Sequence, residues 1–519
     1  MEEVRKAVHC IQIGKKVTDQ FYVDEDVNVP DVREDVAKVI LAGGRVRVED
    51  IKMTENYARI TGKITYQILY ETENEIQKVS ALQGKLSFEE MVYMEDEPVG
   101  KLYVRSSFAE LNVTVIHSRK LNIRVAVDLE VSSEGESEEI LTTDVETSEP
   151  VYKRFRTEEI LKLHSMKKDI YRIKEEMKIP ASKENIGTLL YGEANLRKLD
   201  TRLGTDELLL RGEIQLFCLY ESQEQKMEWV EQNIPFEGKL ECYGAEDTMY
   251  HDIQASLTDE NIDIRMDEDG EMRIFGLEAS LEVRCSVYEE EKTEILDDLY
   301  SLTKELIPAR EEKALERLVM QNHSRCKAAE QLNLPELKDG MLQICHCSGR
   351  LQMEYTKIVP EGIQVEGVIH IGMLYIKADD EVPFDVWQGM IPYSHIIECP
   401  KAEETMRYDI SGTVEQLSVS LLGGGEAEVK AVLGFQILLR EAVMVENIEQ
   451  IEEREMDEKE AENAPGIVGY IVKEGDDLWN LAKRYHTTEE GIQEVNEMDG
   501  RQIKAGDRIL IFKENMSIL

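Results

Sequence analysis

Residues 58–70 read ARITGKITYQILY, residues 208–220 read LLLRGEIQLFCLY, and residues 363–375 read IQVEGVIHIGMLY. In the first, Ile60, Gly62, Ile64, Tyr66, Ile68 and Tyr70 alternate with Arg59, Thr61, Lys63, Thr65, Gln67 and Leu69. A period of two held this long is a strand with one buried face. The second stretch puts Leu210, Gly212, Ile214, Leu216, Cys218 and Tyr220 on that face, and the third Val365, Gly367, Ile369, Ile371, Met373 and Tyr375. A glycine at the same place in all three predicts a bulge or a close backbone approach.

The agreement extends outward. Residues 29–70, 179–220 and 334–375 align without a gap, with Pro30, Pro180 and Pro335 at their starts and Tyr70, Tyr220 and Tyr375 at their ends. This is an internal repeat. Each copy continues into a second matching strand, GKLSFEEMVYM (84–94), QNIPFEGKLEC (232–242) and GMIPYSHIIEC (389–399). Each then ends in a hairpin whose last strand alternates again, through Leu121–Val131, Phe275–Val283 and Val429–Ile437. The pattern predicts a mostly β, multidomain chain built from three repeated sandwich- or barrel-like modules.

Between the copies, residues 156–177 (RTEEILKLHSMKKDIYRIKEEM) and 296–331 are rich in Lys, Glu and Leu at helical spacing, and are expected to be helical connectors, with Pro308 beginning or interrupting the second. The expected division is module 1 over 1–148, a connector over 149–178, module 2 over 179–295, a connector over 296–331, module 3 over 332–445, an acidic linker over 446–466 and a small C-terminal module over 467–515. Within that linker, residues 446–464 hold nine acidic and two basic residues.

A formal charge of −45 on 519 residues repels phosphate backbones and anionic lipid headgroups, so nucleic acid and direct membrane insertion are excluded as partners. The first twenty residues lack a signal-peptide apolar run, and no stretch offers the ~20 apolar residues of a spanning helix, which makes the cytosol the expected compartment. His323, Cys326, Cys345, His346 and Cys347 are the densest metal-like group. The repeat argues against a metal there: Cys345 stands where Ile40 and Leu190 stand, Cys218 matches Ile68 and Met373, and Cys242 and Cys399 match Met94. These cysteines read as reduced core residues. The GGG at 423–425 falls at the same hairpin as Ser118–Lys120 and Glu268–Gly270, so it is a turn and not a phosphate loop. No catalytic motif and no cofactor site is read, and the chain is expected not to be an enzyme.

The C-terminal stretch GYIVKEGDDLWNLAKRY (469–485) and its continuation resemble LysM through Tyr470, Val472, Gly475, Asp476, Leu478, Trp479, Ala482, Tyr485, Thr487, Ile492, Asn496, Ile503, Gly506 and Ile511. The repeats resemble SPOCS modules in VPDVREDVAKVILAGGRVRVEDIKM (29–53) and its two counterparts. Together these resemble the SipL-like family of endospore formers. The resemblance implies a non-enzymatic spore morphogenetic scaffold in the mother-cell cytoplasm, at the forespore surface and spore coat. It would bind the coat-basement ATPase SpoIVA and other coat proteins through the LysM module, and exposed strand edges on the β modules offer a route to self-association.

The same resemblance implies a βααβ fold whose groove is lined by Gly475, Asp476, Asp477, Leu478 and Trp479 on one side and Asn496, Glu497 and Met498 on the other. Asp477, Glu497 and Asp499 put carboxylates beside a groove otherwise suited to anionic muropeptides, which favours a protein ligand. Peptidoglycan binding is the rival reading. Tyr485 and Ile492 read as core, whereas Trp479 suits either core or a binding hot spot.

Overall fold

The first repeat folds as two antiparallel sheets laid face to face. β1 (Glu2–Ile13) and β2 (Val17–Asn28) follow one another along one edge of β7 (Lys120–Glu146), whose other edge carries β6 (Lys101–His117). β3 (Val36–Thr54), β4 (Tyr57–Thr72) and β5 (Val79–Tyr93) form the second sheet in that order. β3 runs beside β6 and β2 beside β5, so the sandwich approaches a barrel. The computed structural model describes residues 1–74, 77–334, 341–377, 384–455, 466–498 and 502–513, so Pro335 lies outside the described residues.

The second repeat has β8 (Tyr152–Lys178), β9 (Ile186–Gly204), β10 (Glu207–Ser222), β11 (Met227–Glu241), β12 (Tyr250–Met266) and β13 (Met272–Tyr300), in sheets β9-β10-β11 and β8-β13-β12. The third has β14 (Lys304–Asn333), β15 (Met341–Val359), β16 (Gly362–Lys377), β17 (Phe384–Glu398), β18 (Arg407–Gly423) and β19 (Glu426–Glu455), in sheets β15-β16-β17 and β14-β19-β18. The expected helical connectors are therefore strands. Residues 152–178 are β8 and residues 304–333 are β14, each the first strand of the module that follows it.

The helix reading failed because a long partner strand overrides the helix propensity of Lys, Glu and Leu. Along β8 the charged face is matched across the ladder, Lys168 to Glu282 at 2.7 Å and Lys162 to Glu289 at 2.9 Å, while Ile173 and Met177 point into the core. Pro308 sits within β14, an edge strand, where its missing N–H costs no ladder bond. The acidic linker is also shorter than expected. Residues 446–455 complete β19, and 456–465 lie outside the described residues.

Inside each module the alternation read from the sequence is buried as expected, from Ile60 to Tyr70 on β4 and from Leu121 to Val131 on β7. The repeated glycine marks a close approach. Gly62, Gly212 and Gly367 face Phe88, Phe236 and Tyr393 directly across the ladder. A Cβ on any of them would meet the partner's ring or hydroxyl and the carbonyl of the neighbouring strand (Arg47, Lys198 or Gln352). The repeated tyrosine anchors the preceding loop, with Tyr70 Oη donating to the Glu34 carbonyl at 3.0 Å and Tyr220 Oη to that of Glu184 at 3.4 Å.

The three barrels pack around a pseudo-threefold axis. At one end Ile40, Leu190 and Cys345, three copies of one repeat position, share a buried cluster with Leu69, Leu219 and Leu374, three copies of another. The Cys345 thiol is pushed up to about 12 by burial, in keeping with an inert core residue. At the other end the strands overrun their barrels as three two-stranded arms, β1/β7, β8/β13 and β14/β19. Each contributes two residues to one cluster: Val8 and Leu141, Ile160 and Ile295, Leu315 and Val445. Between the two seams the modules leave a cavity of about 2010 Å³, lined by all three and bordered by Arg45, Asp252, Arg284, His346 and Arg350.

Candidate functional site

β19 ends at Glu455 on the arms, and the chain returns at Gly466 to a small module docked beside them. It comprises β20 (Ile467–Ile471), α1 (Leu478–Tyr485), α2 (Glu489–Val495) and β21 (Arg508–Phe512), the expected βααβ order. Its helices start for local reasons. Asp477 caps α1, its Oδ1 accepting from Asn480 N at 2.6 Å, and Thr488 caps α2 by accepting from Gly491 N at 2.9 Å. Lys483 and Arg484 close α1 where the helix dipole favours positive charge. Val472, Leu481, Ala482, Ile492, Ile509 and Ile511 form the core, and Tyr485 packs against it, as expected for Tyr485 and Ile492.

The eight groove residues are divided among different tasks. Gly475 takes φ +88° in the turn before α1, a conformation that favours glycine. Asp476 ties that turn, accepting from Tyr470 Oη at 2.9 Å and Lys473 N at 2.7 Å, which holds its carboxyl below the usual range. Asn496 acts as a short third strand. Its side chain donates to Leu510 O and accepts from Leu510 N, both at 2.7 Å. Glu497 is exposed at φ +50°, and Met498 packs against the core. Asp499 lies outside the described residues.

Asp477, Leu478 and Trp479 belong to a contact with the body. Trp479 is buried, its Nε1 donating to Asp298 Oδ2 at 2.8 Å, and Lys483 Nζ donates to the other Asp298 oxygen at 2.7 Å. Arg310 of β14 reaches the same carboxylate at 3.3 Å. Burial alone would push the Asp298 carboxyl up, but the Lys483 and Trp479 hydrogen bonds outweigh it and hold the carboxyl below its ordinary value. Arg154 pairs with Asp477 at 3.4 Å and lies 5.5 Å from the centre of the Trp479 ring. The Tyr300 ring meets Trp479 edge-on at 4.9 Å, stacks on Tyr152 at 5.0 Å, and its hydroxyl donates to Thr487 O at 3.1 Å. The sequence left Trp479 open between core and hot spot; it is an internal anchor.

What stays open is the outer face of β20 and β21. In the ladder Ile467 faces Phe512, Gly469 faces Leu510 and Ile471 faces Arg508, all on the side away from the helices. Ile467, Ile471 and Leu510 are 53%, 60% and 46% exposed, and among the described residues nothing stands above Gly469. Residues 466–513 carry nine acidic and seven basic residues, so this module is almost neutral in a chain of charge −45.

Of the residues once grouped as metal-like, Cys345 lies in the axial cluster and His346 joins two modules. The His346 ring stacks on Phe217 at 4.2 Å, with Nδ1 against Glu231 at 2.5 Å and Nε2 3.4 Å from Glu193. Burial would drive the imidazole down, yet these carboxylates carry it up to about 9, while Glu193, despite its own burial, is held at about 2. His346 was missed as a seam residue, although the repeat places it opposite Leu41 and Tyr191, an apolar slot where an ionisable group needs a partner. Among the described residues, no three His, Cys, Asp or Glu side chains are grouped to hold a metal ion, and no helix is long and apolar enough to cross a membrane.

Comparison with known families matches residues 35–116, 185–265 and 341–422 to the SipL SPOCS domain, and residues 470–512 to the LysM domain. No curated protein and no solved structure matches the chain.

Proposed function

The chain belongs to the SipL-like proteins by its three SPOCS domains and C-terminal LysM domain, and on that premise we infer that it is a non-enzymatic scaffold of the spore envelope. In this reading it binds the coat-basement ATPase SpoIVA through the LysM module and promotes coat localisation around the forespore. Other coat proteins would be held by the SPOCS body.

One observation carries the reading: the exposed apolar strip of Ile467, Ile471 and Leu510 around Gly469. It lies on the near-neutral part of a highly charged chain, where a protein partner can approach without the repulsion that −45 charges impose elsewhere. A flat apolar strip with Arg508 at its edge is a surface for burying another protein's side chains. A sugar-binding cleft would instead need convergent polar groups. The polar groups expected to line such a cleft are engaged within the chain, Asn496 on Leu510 and Asp477 on Arg154.

The test is binding of purified SpoIVA-type ATPase to the full chain, to a truncation ending at Pro465 and to Ile471→Glu, in parallel with co-sedimentation on purified peptidoglycan. Loss of the ATPase in both variants, with no sedimentation, is expected. ATPase binding retained in both, together with LysM-dependent sedimentation, would replace this reading with a peptidoglycan-binding one.

A further inference from the structure

The LysM domain has its core completed by the body. Tyr300 is buried in the same apolar cluster as Trp479, Leu481 and Ile492, with Tyr152 and Leu302 packed on it. The contact is polar as well as apolar. Both oxygens of one buried carboxylate, Asp298, are taken by LysM donors, and Arg310 of the third module closes its remaining side. Asp298 lies where the β8/β13 register shifts between Leu296 and Asp298, next to Asp297, which pairs with Arg154 at 2.8 Å. Such an irregularity re-aims side chains, here turning consecutive carboxylates onto two tasks.

We propose that Asp298 is a positioning residue, fixing the LysM domain on the arms so that its outer β20/β21 face is presented outward and its α1 turn is withheld. The proposal rests on the preceding reading that this domain binds the coat ATPase. Its physical content is pre-organisation. A docked domain has already lost the orientational freedom that a domain on a loose tether would lose on binding. The buried carboxylate makes the geometry specific, because an undocked Asp298 or Trp479 loses partners that water replaces only by opening the apolar cluster around them.

The experiment uses the full chain as wild type, Asp298→Ala, Asp298→Asn and Ile471→Glu. Docking is read from Trp479 fluorescence, with Trp229→Phe and Trp387→Phe in every chain compared, and from protease cleavage within 456–465. Binding of purified SpoIVA-type ATPase is read by titration. In Asp298→Ala the expected result is a red-shifted Trp479 emission, faster cleavage and at least tenfold weaker ATPase binding, with Asp298→Asn intermediate because its amide oxygen still accepts one bond. Ile471→Glu is expected to lose binding while its fluorescence and cleavage stay as in wild type. That separates the surface that binds from the residue that positions it.

An undocked Asp298→Ala that binds the ATPase as well as wild type overturns the positioning role and leaves the function reading intact. Unchanged fluorescence and cleavage in Asp298→Ala overturn it too. Wild type that docks by both optical and protease criteria yet binds no ATPase sinks the function reading, and the positioning role with it.

Discussion

The three arms share one architecture and end differently. The last ladder pair is Glu2 with Glu146 on the first arm, Tyr152 with Tyr300 on the second and Lys304 with Glu455 on the third. Only the second ends on stacked aromatic rings, and it is the arm that seats the LysM domain. Most repeat positions that face a module's own core or the axial seam near Ile40 are apolar in every copy, because each copy must fill a similar space. Where one departs, as His346 does at the position of Leu41 and Tyr191, it is held by carboxylate partners. Positions at the tips of the arms, past the shared cluster of Val8, Ile160 and Leu315, escape that constraint, and there the copies are distinct. Symmetry holds this body together, and asymmetry at the tips gives it a single seat.

The comparison breaks most readily at Tyr300. Truncating this buried ring in Tyr300→Ala removes apolar contact from the LysM core and costs about 3–5 kcal/mol at the seat. Calorimetry should then show a separate, lower LysM transition, absent from the wild type. A cavity confined to one arm should leave the SPOCS transition in place.

A smaller effect tests the symmetric side. Gly62→Ala, Gly212→Ala and Gly367→Ala should each destabilise the body by roughly 1–3 kcal/mol in denaturant titrations, since each Cβ forces the facing ring and a strand carbonyl apart. Similar costs at three equivalent sites are expected. One site differing widely would show that the barrels are not equivalent inside.

The seam between modules 2 and 3 should respond to pH. The folded His346 imidazole is raised to about 9 from an ordinary value near 6.5. Its contribution is therefore complete below about pH 6.5 and is lost as the pH rises through 9. Thermal midpoints should fall over that window in wild type and stay flatter in His346→Gln. The LysM seat has the opposite sign. Asp298 is lowered by its partners, so its contribution is present above the ordinary carboxylate range and is lost in acid, below about pH 4. The smallest effect is expected on the first arm. Glu2→Tyr with Glu146→Tyr would copy the aromatic pair without Asp298, change stability by about 0.5 kcal/mol or less, and capture no LysM domain.

Legibility followed the range of the interactions. The LysM elements came through resemblance to a known family, and the structure shows their causes to be local: an Asp477 cap, a Thr488 cap and apolar residues at helical spacing. The faces of β4, β10 and β16 are readable because alternation is a property of one strand. β8 was misread because its Lys and Glu residues favour a helix until β13 supplies opposite charges across the ladder. The sign of the strand was weak, since Tyr171, Ile173 and Met177 share one face but Glu175 interrupts the alternation, and the step from Ile173 to Met177 suits a helix equally.

The axial seam also left a trace. Leu69, Leu219 and Leu374 are apolar on the face where solvent was expected, in all three copies. The partnership of Trp479 with Asp298 spans 181 residues and leaves none. Part of the glycan groove inferred from resemblance is, in this chain, an internal joint.

The single-chain arrangement of the three barrels has a last consequence, for counting. Three barrels that meet at a common seam would, as separate chains, form a trimer that dilution dissolves, and each subunit would bring its own C-terminal domain. Joined in one polypeptide they cannot be diluted apart, and they bring one. The ratio of three barrels to one LysM domain is therefore fixed by covalent connection and does not vary with concentration.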